Sequence, residues 1–314
     1  AYSDEEVKSL KAICSQGRRN GLHAEFVSPK EAVEMAPILS QDGLRAVMFE
    51  PDAGFVDPSG VTHAFAKAAR NLGAKIIRFT PVTATRQTDS GEGEVVTDKG
   101  TIHAEYVVNA AGLWAREVAA LAGIDMPLMP VEHHYMVTEP IAELQALDRK
   151  IPSFSYSEAN VYARPEGQGL LLGAYERKCI HWAEQGTPLD FGHELLPDDI
   201  ERMEDNLAQA IERIPCLETT GIKRVLNGPM IFSPDLGPLL GPHPALRNYF
   251  CATGVMTGFN QLDLVLRHHQ HCFPVIFTGH GTKPCTFGQQ CPQILLIERC
   301  SGPCCQFPRQ TRWW

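Results

Sequence analysis

The chain has 314 residues, 44% of them hydrophobic and 21% charged, and its formal net charge at pH 7 is -9. This length and composition suffice for a globular protein with a substantial core. The acidic balance argues against nucleic acid or an anionic membrane as the main partner, because either would require a basic surface. No apolar run reaches the roughly 18 residues of a membrane span, and the acidic first residues do not resemble a secretory leader. A small-molecule ligand is therefore favoured.

Two helix starts are visible in the first part of the chain. Ser28-Pro29-Lys30-Glu31 combines a capping serine, a proline at the first helical position and a glutamate three residues after the cap. Asp57-Pro58 is a similar start, after which apolar residues recur at helical spacing until Gly73. A strand-like run at 44–50 lies between them. The pattern predicts helix, strand, helix.

The next segment predicts strands and one strand-turn-helix unit. Strands are expected at 75–79 and 82–86, followed by a hairpin whose turn is 97–100. A β-branched strand at 104–109 then leads directly into Ala110-Ala111-Gly112 and a short helix at 114–122. This last unit carries the most functional information in the segment.

From Pro130 onward the sequence predicts a β-rich lobe with one helix. Strands are expected at 131–138, 160–164 and 169–175. Pro197-Asp198-Asp199 opens a helix with acidic residues in its first turn. Its apolar stripe consists of Ile200, Met203, Leu207, Ala210, Ile211 and Ile214. We expect this stripe to pack onto a sheet.

A second turn of small residues follows a later strand at 248–252, where Thr253-Gly254 leads to Phe259. Such turns let a backbone approach a ligand closely, and a helix N-terminus favours an anionic group. Tight packing of a helix on a strand uses the same small residues and is the commoner explanation. The full G-x-G-x-x-G fingerprint of dinucleotide binding is absent from the sequence.

Past Gln261 the composition changes, and the tail at 262–314 is rich in cysteine and histidine. It has no helical or strand period, so we expect no regular structure there. Cys285, Cys291, Cys300 and Cys304 could form a zinc module, but their spacing fits no common C-x₂-C pair. The four cysteines before the tail are scattered, which favours a reduced, intracellular protein.

The chain resembles the FAD-dependent dimethylglycine and sarcosine dehydrogenase family over roughly residues 20 to 260. The resemblance is carried by two runs, Val107 to Ala115 (VVNAAGLWA) and Pro130 to Glu139 (PVEHHYMVTE). Further matches in the same order are Asp57-Pro58, Thr80-Pro81-Val82, Tyr162 to Glu166, Gly169 to Glu176, Gly221 to Lys223 and Asn227 to Pro229. Against the family pattern, the chain lacks the N-terminal strand, phosphate loop and ribose-binding acid, and it diverges after residue 261.

The resemblance implies a mixed α/β fold. An incomplete, doubly wound FAD domain would be interleaved with an antiparallel β-sheet substrate domain. The oxidoreductase would occupy 1–261, with flavin-domain segments at about 52–125 and 228–261 and substrate-domain segments at about 20–51 and 126–227. The implied cofactor is FAD. Its binding residues would be Val82, Ala111, Gly112, Trp114, Gly254, Val255, Met256, Thr257, Gly258 and Phe259.

The implied reaction is oxidative demethylation of a small N-methyl amino acid by hydride transfer to FAD. His133 and Tyr135 occupy alternate positions on one strand and therefore face the same side, which suits a pair lining a cavity; the resemblance implies that they are the catalytic residues. A histidine near its unperturbed pKa could accept the amine proton, and a tyrosine hydroxyl could orient the substrate. Without the resemblance, the two residues are better explained as a pair buried on one strand. His134, which faces the other way, is expected to be structural.

Tyr162 and Arg164 are the candidate substrate-binding residues. A planar guanidinium can bind a carboxylate at two points, although a salt bridge within the protein explains Arg164 equally well. The expected partners are an amino-acid substrate and an electron acceptor of unknown identity, with no nucleic acid and no membrane. The expected location is soluble and intracellular, in the cytoplasm or the mitochondrial matrix. The alternative is a noncatalytic regulator similar to the regulatory subunit of pyruvate dehydrogenase phosphatase, or an inactive fragment.

Overall fold

The computed structural model describes residues 1–192 and 194–254, together with the backbone of one strand at 294–296. The helices are α1 (Asp4–Arg19), α2 (Pro29–Met35), α3 (Pro58–Asn71), α4 (Ala115–Ala120), α5 (Ala142–Gln145) and α6 (Glu204–Arg213). The strands are β1 (Glu25–Val27), β2 (Val47–Phe49), β3 (Lys75–Ile77), β4 (Val82–Gln87), β5 (Gly93–Thr97), β6 (Gly100–Ala104), β7 (Val107–Asn109), β8 (Met129–Thr138), β9 (Phe154–Tyr156), β10 (Val161–Glu166), β11 (Gly169–Ala174), β12 (Ile222–Phe232), β13 (Leu239–Pro242), β14 (Tyr249–Thr253) and β15 (Ile294–Leu296). The mixed α/β class expected from the sequence is confirmed.

The chain divides into two compact units, each assembled from separate segments. The first unit contains 1–56, 132–180 and 195–228. The second unit contains 57–131, 181–194 and 229–314. The assignment of a flavin role and a substrate role to separate domains stays a prediction.

A five-stranded sheet forms the centre of the first unit, in the order β12-β8-β11-β10-β9. The strands β9, β10, β11 and β8 pair antiparallel with their neighbours. One face of this sheet carries apolar residues that join the core, among them Leu170, Leu172, Met136 and Val161. Because side chains alternate along a strand, the residues between them lie on the opposite face.

The predicted amphipathic helix packs against this core. Met203, Ala210 and Ile214 are buried, and the other three residues of the predicted stripe are partly buried against the same cluster. The helical prediction is confirmed, with one correction. The first turn, Ile200–Met203, is a 3-10 helix, and α6 begins only at Glu204. Asp199, the residue before this turn, makes no side-chain cap bond that would fix an α-helical start.

In the part of the chain that the structure describes, the second unit contains three small sheets. In one, β14 pairs antiparallel with β13 and parallel with β7. In another, β4, β5 and β6 form an antiparallel meander, which confirms the predicted hairpin with its turn at 97–100. In the third, β15 pairs antiparallel with β3. The expectation of no regular structure in the tail is therefore wrong for Ile294–Leu296, an apolar run with strand propensity; the rest of the tail lies outside the described residues.

The structure confirms the two helix starts that were predicted from their capping residues. Ser28 accepts a hydrogen bond from the Glu31 N–H and completes a capping box, and Asp57 caps α3 through the Gly60 N–H. The sequence analysis missed α1, although Ser3 and Glu6 form a capping box of the same kind. In the described part of the chain, no helix is long and apolar enough to cross a membrane.

Candidate functional site

The four residues predicted to handle the substrate lie on one face of the five-stranded sheet. Tyr135 on β8 is opposite Gly173 on β11, and Gly173 is opposite Tyr162 on β10. Residues directly opposite one another share a face, and residues two apart on one strand do too. His133 and Arg164 therefore lie on this face with Tyr135 and Tyr162.

His133 makes its closest polar contact with Tyr162 and not with Tyr135. The His133 Nε2 atom lies 2.9 Å from the Tyr162 hydroxyl. The ring of Tyr175, at the position after β11, lies against His133 with a centroid distance of 4.9 Å. Sequence reasoning missed Tyr175 as a site residue, although its two-residue spacing from Gly173 places it on this face.

Gly173 makes room for the Tyr162 ring. A Cβ atom at position 173 would lie 2.1 Å from the Tyr162 Cζ atom and 2.3 Å from its hydroxyl oxygen. The far end of the ring therefore covers the Gly173 backbone, a close approach that only glycine permits. We name the three rings of His133, Tyr162 and Tyr175 the aromatic floor.

The aromatic floor is uncharged at neutral pH. Burial, together with a smaller contribution from the nearby His134, lowers the pKa of His133 to about 4. Burial also raises the pKa of the Tyr162 and Tyr175 hydroxyls above the ordinary tyrosine value. The expectation that His133 keeps an unperturbed pKa is therefore wrong, because an enclosed imidazole loses the solvation that stabilises its cation.

Arg164, the candidate carboxylate clamp, already has a carboxylate partner. Its guanidinium forms an ion pair with Glu166 and lies over the Phe55 ring, 4.9 Å from the ring centroid. Its role in substrate binding stays a prediction. In this arrangement the guanidinium has the internal salt bridge that the sequence offered as the second explanation.

A buried ionic network lies on the opposite face of the same sheet. The His134 Nδ1 atom is 2.9 Å from the Glu176 carboxylate, and their side chains are 0% and 3% exposed. The Arg202 Nη2 atom is 3.1 Å from Glu132 and 3.5 Å from Glu176. The Asn227 side chain donates a hydrogen bond to Glu132. The network therefore joins β8, β12 and the segments that follow β11 and precede α6.

His134 is surrounded by polar partners at both ring nitrogens. The backbone N–H of Asp199 donates to His134 Nε2. The Nδ1 atom lies 2.9 Å from the Glu176 carboxylate and 2.8 Å from the Arg202 Nη2 atom. The structural role expected for His134 stays a prediction.

In the second unit, the two strands that precede the predicted turns of small residues lie side by side. The parallel strands β7 and β14 are neighbours, and the described part of the second turn ends at Gly254. The Thr253 hydroxyl donates to the Gly112 carbonyl at 3.5 Å. Gly112 and Gly254 both have positive φ, at 55° and 72°. Ligands of open α/β sheets bind at the carboxyl ends of such strands.

Asn109 fixes the first of these turns. Its side-chain amide donates to the Ala115 carbonyl at 2.8 Å, and its side-chain oxygen accepts from the Ala111 N–H. The residue is buried and sits at the last position of β7. No role for Asn109 was predicted from the sequence. The signal that could have identified it is an asparagine at the end of an apolar strand, where it can bond the turn that follows.

A family model described as FAD dependent oxidoreductase matches residues 1–263. The chain therefore belongs to the FAD-dependent oxidoreductase family. The cofactor of this family is FAD, which confirms the cofactor expected from the resemblance.

Named relatives agree with this assignment. Mitochondrial dimethylglycine dehydrogenase of Mus musculus is 40% identical over 247 residues, which cover 76% of this chain and 28% of that protein. Mitochondrial sarcosine dehydrogenase of Homo sapiens is 35% identical over 271 residues, which cover 85% of this chain and 28% of that protein. The crystal structure of L-proline dehydrogenase from P. horikoshii superposes with a TM-score of 0.69 at 28% identity, covering 85% of this chain and 68% of that one. The chain thus spans under a third of these curated relatives.

The described residues of the second unit fit a flavin nucleotide in part. Among the described residues, no heavy atom lies within 4 Å of the place where a Cβ of Gly112 would stand, so a ligand can approach the backbone there. Ala111 lies in the same turn, and the Trp114 indole is bonded to the Pro188 carbonyl. Val82 is on β4 and packs against the core of this unit. The predicted contacts at 255–259 lie outside the described residues.

The described residues contain no group of three or more histidine, cysteine, aspartate or glutamate side chains that could hold a metal ion. The zinc module considered for the tail lies outside them.

Proposed function

We propose that the protein oxidises a small N-methylated amino acid of the dimethylglycine or sarcosine type, with FAD as hydride acceptor. The observation that carries the proposal is the aromatic floor, in which a buried, neutral histidine is bonded to a tyrosine hydroxyl. The aromatic floor would give the substrate amine an uncharged surface. The similarity to dimethylglycine and sarcosine dehydrogenases supports the substrate class.

His133 would accept the proton of the substrate amine. In the tautomer with its proton on Nε2, His133 donates to the Tyr162 oxygen, and Nδ1 presents a lone pair. Because the imidazole is neutral at physiological pH, this lone pair is available without a prior deprotonation. Removal of the proton frees the nitrogen lone pair that must stabilise the developing iminium ion.

When bound, FAD supplies the acceptor for a hydride from the N-methyl carbon. The turns at Gly112 and Gly254 would hold the nucleotide by backbone contact. The aromatic floor would exclude water from the amine. The iminium product then reacts with water to give formaldehyde and the protonated amine with one methyl group fewer, so that carbon, hydrogen and charge balance.

Arg164 would bind the substrate carboxylate by exchanging Glu166 for it. Two parallel N–H donors favour a carboxylate, and Phe55 below the guanidinium keeps its plane fixed. Tyr135, on the same face, would line the amine side. The identity of the electron acceptor has no support in the described residues. The mitochondrial relatives favour the mitochondrial matrix over the cytoplasm as the location.

The test is a visible spectrum of the full chain after incubation with FAD and removal of the excess. We expect flavin bands that bleach when dimethylglycine or sarcosine is added without oxygen, with release of one formaldehyde per flavin. Glycine, which has no N-methyl group, is the control and should leave the bands unchanged. In His133→Asn we expect bleaching to slow by about a hundredfold or more, the usual loss for a general base.

Either of two results would contradict the proposal. One is a folded chain that retains no flavin, and the other is bound flavin that no N-methyl amino acid reduces. The first result would favour the noncatalytic alternative, which the comparisons do not favour because the relatives of highest identity named above are dehydrogenases.

A further inference from the structure

We propose that the aromatic floor binds the trimethylammonium group of a fully N-methylated amino acid, which the protein holds and cannot oxidise. The inference rests on the proposed function only in treating the floor as the place of the substrate amine. It extends the ligands to quaternary amines and assigns Tyr175 and Gly173 as specificity residues.

The rings of the floor are close together, and the His133 ring is stacked on each tyrosine ring. The centroids of Tyr162 and Tyr175 are each within 6.0 Å of the His133 centroid, and 5.7 Å from one another. The His133 plane is inclined by 16° to the Tyr162 ring and by 27° to the Tyr175 ring, and the two tyrosine rings are inclined by 43° to one another. One cation can therefore contact more than one ring.

Gly173 lets the Tyr162 ring lie across the neighbouring strand. The tip of the ring lies where a Cβ of Gly173 would be, so the ring extends from β10 over the Gly173 backbone. The His133 plane is inclined by only 16° to this ring.

Aromatic faces carry negative potential and attract a cation within about 6 Å of the ring centroid. A primary ammonium also needs acceptors for its three N–H donors, which it must give up in part on leaving water. A trimethylammonium group has no N–H donor and loses no hydrogen bond on an aromatic surface. The floor therefore favours nitrogen with more methyl groups. It contains no positive charge at neutral pH that would oppose this.

A quaternary nitrogen has no lone pair. Loss of a hydride from one of its methyl groups would leave a carbocation that the nitrogen cannot stabilise as an iminium ion. Such a ligand binds without turnover and competes with the oxidisable substrate. The ligand class is an α-amino acid with three N-methyl groups and a free carboxylate.

The test compares trimethylglycine with 3,3-dimethylbutanoate, which has the same shape and carboxylate but carbon in place of the charged nitrogen. Titration calorimetry on the full chain measures both without FAD. We expect trimethylglycine to bind at least about fivefold more tightly, the preference for a cation–π contact worth about 1 kcal/mol. We expect the preference to persist in Tyr175→Phe, which keeps the ring, and to fall in Tyr175→Leu. Phe65→Leu, on the exposed face of α3, is the matched control.

Equal affinity for the two ligands would overturn the inference, and so would failure of trimethylglycine to bind at millimolar concentration. A preference that survives in Tyr175→Leu would remove Tyr175 from the site. Circular dichroism of each variant verifies the fold. Because dimethylglycine oxidation is scored separately by flavin bleaching, loss of the cation preference with intact bleaching contradicts this inference alone. A cation preference without bleaching contradicts the proposed function alone.

Discussion

The two faces of the five-stranded sheet are built from adjacent residues of the same strands and have opposite chemistry. His133 and Tyr175 belong to an uncharged aromatic surface, while the next residues, His134 and Glu176, belong to a buried ionic network. Both faces carry a histidine at nearly full burial. The comparison shows that the burial of a histidine does not by itself decide the role of that histidine. On one face a tyrosine hydroxyl is its partner and on the other a carboxylate.

The largest expected effect is on the ionic face. Arg202→Met keeps the length of the side chain but leaves Glu132 and Glu176 without their shared cation. Breaking a buried ion pair from one side costs about 3–5 kcal/mol, so we expect the free energy of unfolding in urea to fall by that amount. Lys30→Met, which removes an exposed pair with Glu34, is the control and should cost under about 0.5 kcal/mol. Equal losses in the two variants would show that the network does not stabilise the fold.

The aromatic face should give the protein a pH-dependent stability. The pKa of His133 is about 4 in the folded chain and 6.5 as the ordinary value, so the unfolded chain binds the proton more tightly. The contribution of neutral His133 to the free energy of unfolding is therefore fully present above pH 6.5. It is lost as the pH falls toward 4, by about 3 kcal/mol in total. The measurement is urea unfolding between pH 7 and 4.

Carboxylates titrate over the same range, so the control for this prediction is the difference between the wild type and His133→Asn. The variant should lose less stability on acidification than the wild type. Identical pH dependences would show that His133 is not held in its neutral form.

A smaller loss of stability is expected from a substitution at Gly173, where the Tyr162 ring contacts the backbone. Gly173→Ala places a methyl group against the Tyr162 ring, which must move, and overpacking of this kind costs about 1–3 kcal/mol. We also expect weaker binding of trimethylglycine by calorimetry, because the ring leaves the floor. Gly228→Ala is the matched control, since no atom of the described part of the chain lies within 4 Å of its added Cβ. An unchanged stability of Gly173→Ala would mean that the ring does not rest on position 173.

The smallest expected effect comes from a substitution that removes the hydroxyl of Tyr162 and keeps its ring. Tyr162→Phe removes the bond to His133 Nε2 and should cost about 0.5–1.5 kcal/mol in urea unfolding. Since the ring remains, the preference for trimethylglycine over 3,3-dimethylbutanoate should persist. Loss of that preference in this variant would mean that the hydroxyl, and not the ring face, binds the ligand.

Local patterns in the sequence predicted most of the elements. The caps at Ser28 and Asp57 fixed two helix starts, because a side-chain acceptor three residues before a free N–H is a contact within one turn. Alternation along β8 placed His133 and Tyr135 on one face and His134 on the other, because the period of a strand is two residues. These features require no knowledge of distant residues.

Burial of a helix needed the tertiary structure. The stripes of α3 and α6 have the same helical period in the sequence. The α6 stripe is buried or partly buried in the core, whereas Phe65 on α3 is 58% exposed and Leu72, the C-cap of α3, is 86% exposed. Periodicity predicts that a helix has an apolar side, but only the surrounding elements decide whether that side is covered.

Most of the elements, the faces of the strands and the family could be predicted from the sequence, because they depend on neighbouring residues or on their order along the chain. The tertiary structure alone decided that His133 is bonded to Tyr162 and stacked on Tyr175, that Arg164 is paired with Glu166, and that His134 joins a network with Arg202. The physical reason is that strand order in a sheet and the register between distant strands set these distances, and neither is encoded within a single strand.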